Sequence, residues 1–387
     1  MRVLHVGKYF PPFAGGMEYF LGDLLPALRK QNVEVAALVH ADARSAATRH
    51  PAADDPVPVY RAPCLGRLLY APISPAFPIW LNRLIHEIEP DLLHLHLPNT
   101  SAFAALSIPA ARRIPWVVHW HSDVVASAID PRLALAYRLY RPFEQALLAK
   151  ARAIIATSPD YLESSAALAP WRHRCHVIPL GLDSDRIRNP KPEALDTAER
   201  LWAEPGTRIL AVGRLTYYKG HEILLEAAAK LPDTRILIVG TGDLHQPLQA
   251  KIVEMRLASR VGLTGFMPDS TLNALLASCD LLCLPSLERT EAFGLVQLEA
   301  MRFGKPVVVS DIPGSGTGWV VREAGHGRLT PPGDPSQLAE RIRKLQADRQ
   351  LRQELGDAGQ RALKKRFGIG PVSSATAELY RRVLSEG

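Results

Sequence analysis

No stretch of this 387-residue sequence reaches the roughly 20 consecutive apolar residues that a membrane-spanning helix needs. Cysteine is scarce. Of Cys64, Cys175, Cys279 and Cys283 only the last two are near neighbours, and Asp280-Leu281-Leu282-Cys283-Leu284 reads as a buried strand, not a metal knuckle. This excludes a disulfide scaffold and points to a reduced, cytosolic chain without structural zinc. The N-terminus, Met1-Arg2-Val3-Leu4-His5-Val6, enters a strand directly and lacks the apolar core of a secretory leader. Dense Lys/Arg tracts, helix-turn-helix patterns and finger spacings are also missing, which argues against nucleic acid. Yet basic residues outnumber acidic ones by 46 to 39, a net charge of +7, so an anionic partner is expected. Phosphates on a small molecule, together with an anionic membrane surface, suit such dispersed charge better than a polynucleotide.

What the sequence does have is alternation. Aliphatic runs at residues 3–6, 33–39, 92–96, 116–120, 153–156 and 176–179 are separated by helical stretches, and the second half repeats the pattern at 209–213, 236–240, 261–264, 281–284 and 307–310. This grammar predicts an α/β fold of two Rossmann-like domains, each with a parallel sheet covered on both faces. The boundaries expected are 1–182 for the first domain and 206–366 for the second. Between them, 183–205 reads as a polar connection broken by Pro190, Pro192 and Pro205, and 367–387 as a terminal helical segment packing back toward the first domain. Ligands of open α/β sheets bind at the carboxyl ends of strands, so two such domains facing each other place the site in the cleft between them.

Several motifs sit at such strand ends. Glu291-Ala292-Phe293-Gly294-Leu295-Val296-Gln297-Leu298-Glu299 follows a buried strand. If one helix covers it all, both glutamates share a face. If the helix begins near Gly294, Glu291 lies in the preceding loop, free to bond a sugar hydroxyl. Then the amides around Phe293, Gly294 and Leu295 meet phosphate and Glu299 meets a ribose diol. Gly213-Arg214-Leu215-Thr216-Tyr217-Tyr218-Lys219-Gly220 follows another strand, where two cations could clamp a diphosphate and replace a metal. Gly15 and Gly16 precede the first helix and allow close backbone approach. Val239-Gly240-Thr241-Gly242-Asp243 has the start of a dinucleotide fingerprint but His245 where the third glycine belongs, which removes support for an oxidoreductase.

In His119-Trp120-His121-Ser122-Asp123, His119 and His121 share a strand face, and with Asp123 they suggest a metal, yet no third ligand stands at a telling spacing. His121, at the strand's end, is the better candidate for a sugar hydroxyl or a developing charge. His94 and His96 read as core-edge histidines. Asp183-Ser184-Asp185 matches a short metal-holding pattern that recurs by chance.

These residues together resemble glycosyltransferase family 4, the group 1 glycosyltransferases, which are retaining enzymes of GT-B fold. The likeness spans nearly the whole chain and adds Ile178-Pro179-Leu180-Gly181 and the run Ser286 to Pro306 to the motifs above. A finer resemblance, to bacterial mannosyl- and rhamnosyltransferases of O-antigen and exopolysaccharide assembly, rests on 119–123, on Ala156-Thr157-Ser158-Pro159 with Tyr161, and on Asp311 to Gly316. Where many relatives carry Gly-Gly-x-x-Glu, this chain has Pro313-Gly314-Ser315-Gly316.

The resemblance implies a first domain for the acceptor and a second for the nucleotide sugar. Arg214 and Lys219 would bind the donor diphosphate, Glu299 the ribose, and Glu291 with His121 the transferred sugar. Gly15, Gly16, Gly213, Asp243, Phe293, Gly294 and Leu295 would complete the donor site. No metal and no cofactor are implied beyond the donor, a GDP-sugar in preference to a UDP-sugar. The activity implied is retaining hexosyl transfer, of mannose or rhamnose type, to a lipid-linked or saccharide acceptor in cell-surface polysaccharide synthesis. The rival readings are a non-catalytic nucleotide-sugar-binding protein and a GT-B epimerase or phosphorylase.

Two stretches suggest a peripheral place on the inner face of a membrane. Arg61 to Arg83 mixes Arg61, Arg67 and Arg83 with Leu68, Leu69, Tyr70, Ile73, Phe77, Ile79 and Trp80, and its prolines suggest a loop with exposed aromatics. Arg132 to Arg152 sets Arg132, Arg138, Arg141, Lys150 and Arg152 among Tyr137, Tyr140 and Phe143, and reads equally as a helix packed on its sheet.

Overall fold

A computed structural model of the chain describes residues 1–42, 55–68, 71–124, 131–203 and 205–386, with the backbone alone described at 131–134. Leu69 and Tyr70, and the side chain of Arg132, lie outside the described residues. The chain forms two compact units, Met1–Gly181 with Ile369–Gly387, and Leu182–Gly368.

The first unit is built on a seven-stranded parallel sheet. Its strands are β1 (Arg2–Val6), β2 (Glu34–His40), β3 (Val59–Ala62), β6 (Leu92–Leu97), β7 (Trp116–Trp120), β8 (Ala153–Ala156) and β9 (Cys175–Val177), in the order β3-β2-β1-β6-β7-β8-β9. A separate antiparallel hairpin joins β4 (Gly66–Leu68) to β5 (Ala71–Ile73). Strands β6, β7 and β8 are buried along their whole length, which is why they read as continuous runs. The helix Ile369–Ser385 packs on the helix Gly16–Lys30 and buries Leu379 and Tyr380, so the last residues of the chain complete the first unit.

The second unit carries a six-stranded parallel sheet of β10 (Thr207–Val212), β11 (Thr234–Val239), β12 (Val261–Gly265), β13 (Leu281–Leu284), β14 (Val307–Ser310) and β15 (Gly327–Thr330), in the order β12-β11-β10-β13-β14-β15. Successive side chains alternate faces. Ile209 and Ala211 enter one core with Leu224, Ile236 and Ile342, while Leu210 enters another with Leu237, Leu275 and Leu282.

Three details depart from the sequence reading. Residues 183–205, expected as a connection, belong to the second unit, because the helix Pro192–Trp202 buries Ala198 and Trp202 against the helix Asp269–Ser278. Strands β3 and β15 have too few aliphatics to stand out. The stretch 61–83 is not a loop. It folds into the hairpin and then the helix Phe77–Ile88, where Pro78 sits in the first turn, a position that needs no amide, and Phe77 is fully buried.

In both sheets the strand order reverses beside the first strand, at β1/β6 and at β10/β13. The loops leaving those strands are where an open α/β sheet makes its ligand site.

Candidate active site

Lys219 and Glu291 meet at the β10/β13 reversal. Lys219 closes the loop after β10, in a single turn Tyr217–Lys219 that leads into the helix His221–Ala228. Glu291 lies in the loop after β13. Lys219 Nζ stands 2.5 Å from Glu291 Oε2, with both side chains nearly covered, and the Ser286 hydroxyl donates to the same oxygen at 3.2 Å. Burial pulls the lysine pKa down, but the carboxylate outweighs it and the net shift is upward. A full charge is therefore held at the end of the sheet. Arg214 is exposed on the same loop and donates to the Tyr218 hydroxyl at 3.0 Å, while Lys219 Nζ lies 5.7 Å from the Tyr218 ring centre.

Glycine makes this loop possible at two points. A Cβ on Gly213 would stand 2.9 Å from Lys219 Cε, so the lysine lies across bare backbone. Gly220 has φ +65° and would put a Cβ 2.0 Å from the Pro285 carbonyl, which lets the β10 and β13 loops touch. The Leu287 amide then donates to the Tyr218 carbonyl at 2.8 Å, and Tyr217 hydrogen-bonds Glu288.

The loop 291–295 resolves the two arrangements left open by the glutamate spacing. The helix begins only at Val296 and ends at Arg302, so Glu299 is helical, half-buried, and Glu291 precedes the helix. Phe293, Gly294 and Leu295 are all buried, and the Phe293 ring joins Trp319 and Phe367 in an aromatic cluster, anchoring the loop from beneath. Ser315 hydrogen-bonds the Glu291 carbonyl and caps the helix Gly316–Ala324, and the Gly316 amide donates to the Ala292 carbonyl at 2.8 Å. The Pro313-Gly314-Ser315-Gly316 segment thus supports Glu291 through its backbone.

Residues 15–181 match the model of the glycosyl transferase 4-like domain, and residues 195–362 that of glycosyl transferases group 1. The D-rhamnosyltransferase WbpZ of Pseudomonas aeruginosa is 31% identical over 92% of this chain and 89% of its own. The chain belongs to the group 1 glycosyltransferases. The O-antigen chain mannosyltransferase C of Escherichia coli is 29% identical over 99% of both chains. Sucrose-phosphate synthase from Thermosynechococcus elongatus, at 22% identity, shares the fold with a TM-score of 0.80 over the full length of both, and that fold is GT-B.

Asp243 is exposed in the loop after β11. Gly240 and Gly242 serve loop packing there, since a Cβ on either would strike the backbone of Gly213 or Leu215 at 1.9 or 2.4 Å. Asp183 Oδ1 accepts from the amide of Asp185 at 3.0 Å, a local turn.

In the first unit, Gly15 precedes the helix Gly16–Lys30, and a Cβ on it would lie 2.1 Å from Glu18 Oε2; the chain's own carboxylate folds over that helix start. His121 lies just past β7, but its ring turns inward, with Nε2 3.0 Å from His96 Nδ1 and Nδ1 buried without a partner. Asp123 turns away to Trp120 and Ser165, at 2.8 and 2.7 Å. Sequence reasoning missed Tyr218, Ser286 and Ser315. The first two had a legible signal, since each directly neighbours a motif residue or a buried strand's end.

Proposed function

We propose that this glycosyltransferase moves a hexosyl group, of mannose or rhamnose type, from a nucleoside-diphosphate sugar with retention of configuration. The acceptor in this reading is lipid-linked or saccharide, in cell-surface polysaccharide synthesis, and the donor a GDP-sugar. The observation that carries it is the covered Lys219–Glu291 pair beside Arg214, at the β10/β13 reversal.

As the bond from the anomeric carbon to the phosphate oxygen breaks, its electron pair stays on the diphosphate. Lys219 and Arg214 stabilise that growing charge, so no divalent ion is needed there. The acceptor oxygen attacks on the face the diphosphate leaves, and its proton passes to a diphosphate oxygen. Glu291, placed by Ser286 and by Lys219, takes a sugar hydroxyl, and Glu299 the ribose. The likeness to a mannosyltransferase and a rhamnosyltransferase supports the sugar class.

A lipid-linked acceptor is supported by an apolar face on the first unit. The exposed large hydrophobics include Leu65, Leu68, Ile73 and Ile79 near the hairpin, and Leu135, Leu139 and Phe143 on the helix Pro131–Lys150. A groove of about 520 Å³, lined by Ser74, Pro78, Phe103, Phe143 and Ala146, shares Phe143 with the helical group. Exposed Arg138 and Arg141 lie beside the helical group. No helix among the described residues is long and apolar enough to cross a membrane.

Incubation with a panel of GDP- and UDP-sugars and a lipid-linked acceptor should give product from a GDP-sugar of mannose or rhamnose type. The one-bond C1–H1 coupling of the new linkage should match the donor's anomer. An inverted linkage contradicts the retaining reading, and turnover confined to UDP-sugars contradicts the donor.

A further inference from the structure

Five histidines fill the middle of one sheet face in the first unit, where aliphatic side chains would ordinarily pack. His5 on β1 is paired in register with His94 on β6, and His96 on β6 with His119 on β7, while His121 follows two residues later on the same face. Four are fully buried and His121 is 7% exposed. The ring of Phe20, from the helix Gly16–Lys30, stands T-shaped to those of His119 and His121, and Tyr380 hydrogen-bonds His94.

Their nitrogens are poorly served by the protein. His5 Nε2, His94 Nε2, His121 Nδ1 and both ring nitrogens of His119 are buried without a hydrogen-bond partner. Each such group has given up its water without a replacement partner. Of the five histidines only His119 has neither nitrogen engaged, which leaves it available to a ligand that binds imidazole nitrogen.

Two sets of three could hold an ion, His5/His94/His96 and His96/His119/His121, each offering ligand atoms within 4.8 Å of one another. The second is favoured on two grounds. His94 already has its Nδ1 engaged by Tyr380, whereas no hydrogen bond holds His119. His121, 7% exposed, is the one of the five that is not fully covered. His96 Nδ1 and His121 Nε2, 3.0 Å apart, are near the roughly 3.3 Å that separates two nitrogens on one tetrahedral zinc ion, a spacing that His5 Nδ1 and His96 Nε2 of the first set match at 3.1 Å. The far side of His96 is also secured: its Nε2 lies 3.1 Å from His5 Nδ1, the kind of outer partner that orients a ligating imidazole.

We propose that His96, His119 and His121 form a site for a zinc-class transition-metal ion, bound through three neutral imidazoles with one position left open. His96 binds through Nδ1, with its Nε2–H donated to His5; His121 binds through Nε2; His119 rotates to bring in one of its unpartnered nitrogens. Nitrogen-only ligands select zinc, cobalt(II) or nickel(II) over magnesium or manganese, so this site is distinct from any ion on a diphosphate. It ties the carboxyl ends of β6 and β7 together.

The test uses the full chain, expressed without a histidine tag. Elemental analysis of the protein as purified, and cobalt(II) titration after stripping with dipicolinate, should each show about one equivalent per chain. The cobalt spectrum should have the intense visible bands of four-coordination, and zinc should displace them. His119→Gln should weaken cobalt binding at least about 100-fold, and His5→Phe, which removes only the outer partner, by about 10–100-fold. His86→Ala and His173→Ala, at exposed positions, should change nothing. Zinc should raise the melting temperature of the parent chain and not that of His119→Gln. The proposal is overturned if the parent chain carries no zinc, shows no four-coordinate cobalt band and gains no thermal stability. The histidines are then a metal-free hydrogen-bonded ladder.

Discussion

Burial by itself pulls the Lys219 pKa down, but Glu291, 2.5 Å away, reverses the shift, and that balance makes the lysine useful as a fixed cation. When a diphosphate arrives, the lysine needs no reorganisation to meet it. Lys219→Ala and Arg214→Ala should each lower turnover by about 100-fold or more, since a charge-assisted phosphate bond made in the transition state is worth about 3 kcal/mol. Circular dichroism should show the fold intact; turnover near that of the parent in both variants would remove the clamp from the account. A second residue makes a prediction about stability. Glu144 is fully buried beside Tyr137, and its carboxyl is pushed up to about 7, first by burial, with the Tyr137 hydrogen bond opposing and Asp123 adding to the rise. The folded chain holds that proton between about pH 4.5, the unfolded value, and about 7. Stability therefore falls as pH rises through this window, and the penalty is complete above it. Glu144→Gln should stabilise the chain at about pH 8, by on the order of 2 kcal/mol, and leave it unchanged at about pH 4. Denaturation at the two pH values checks this, and an equal effect at both would refute it.

The strands show how far sequence could reach at the level of elements. Runs such as Ile236 to Val239 were legible because a strand covered on both faces has few polar residues to disguise it. β15, Gly327–Thr330, was not, because Arg328 and Thr330 break the run at the sheet's edge. The helix Pro192–Trp202 was mistaken for part of a connection since its buried face is only Ala198 and Trp202. Individual site residues could be read, but their meeting could not. Lys219 and Glu291 leave strands that neighbour each other in space with β11 and β12 between them in sequence. His96 likewise reaches His119 and His121 only through the β6–β7 register. On the helix Pro131–Lys150, Leu135, Leu139 and Phe143 recur every fourth residue at 63%, 71% and 55% exposure, so this stretch adds an apolar surface to the one made by Leu65, Leu68, Ile73 and Ile79. Sedimentation with anionic liposomes should bring the chain down at low salt and less at high salt. Leu135→Ser with Leu139→Ser should leave most of it in solution. Equal recovery of both proteins in the supernatant would count against a membrane face.

At the scale of the whole molecule, one architectural device appears twice, a parallel sheet whose strand order reverses beside its first strand. In the second unit the reversal gathers cations and a carboxylate; in the first it is flanked by histidines. The central claim is that the cations alone receive the leaving diphosphate. The most direct test is acceptor-dependent release of nucleoside diphosphate in buffer freed of magnesium and manganese, for the parent chain and for Lys219→Ala. The account predicts release by the parent that adding either ion raises by less than about twofold, and near-complete loss in the variant. Release that needs magnesium or manganese, or that survives the loss of Lys219, would contradict it.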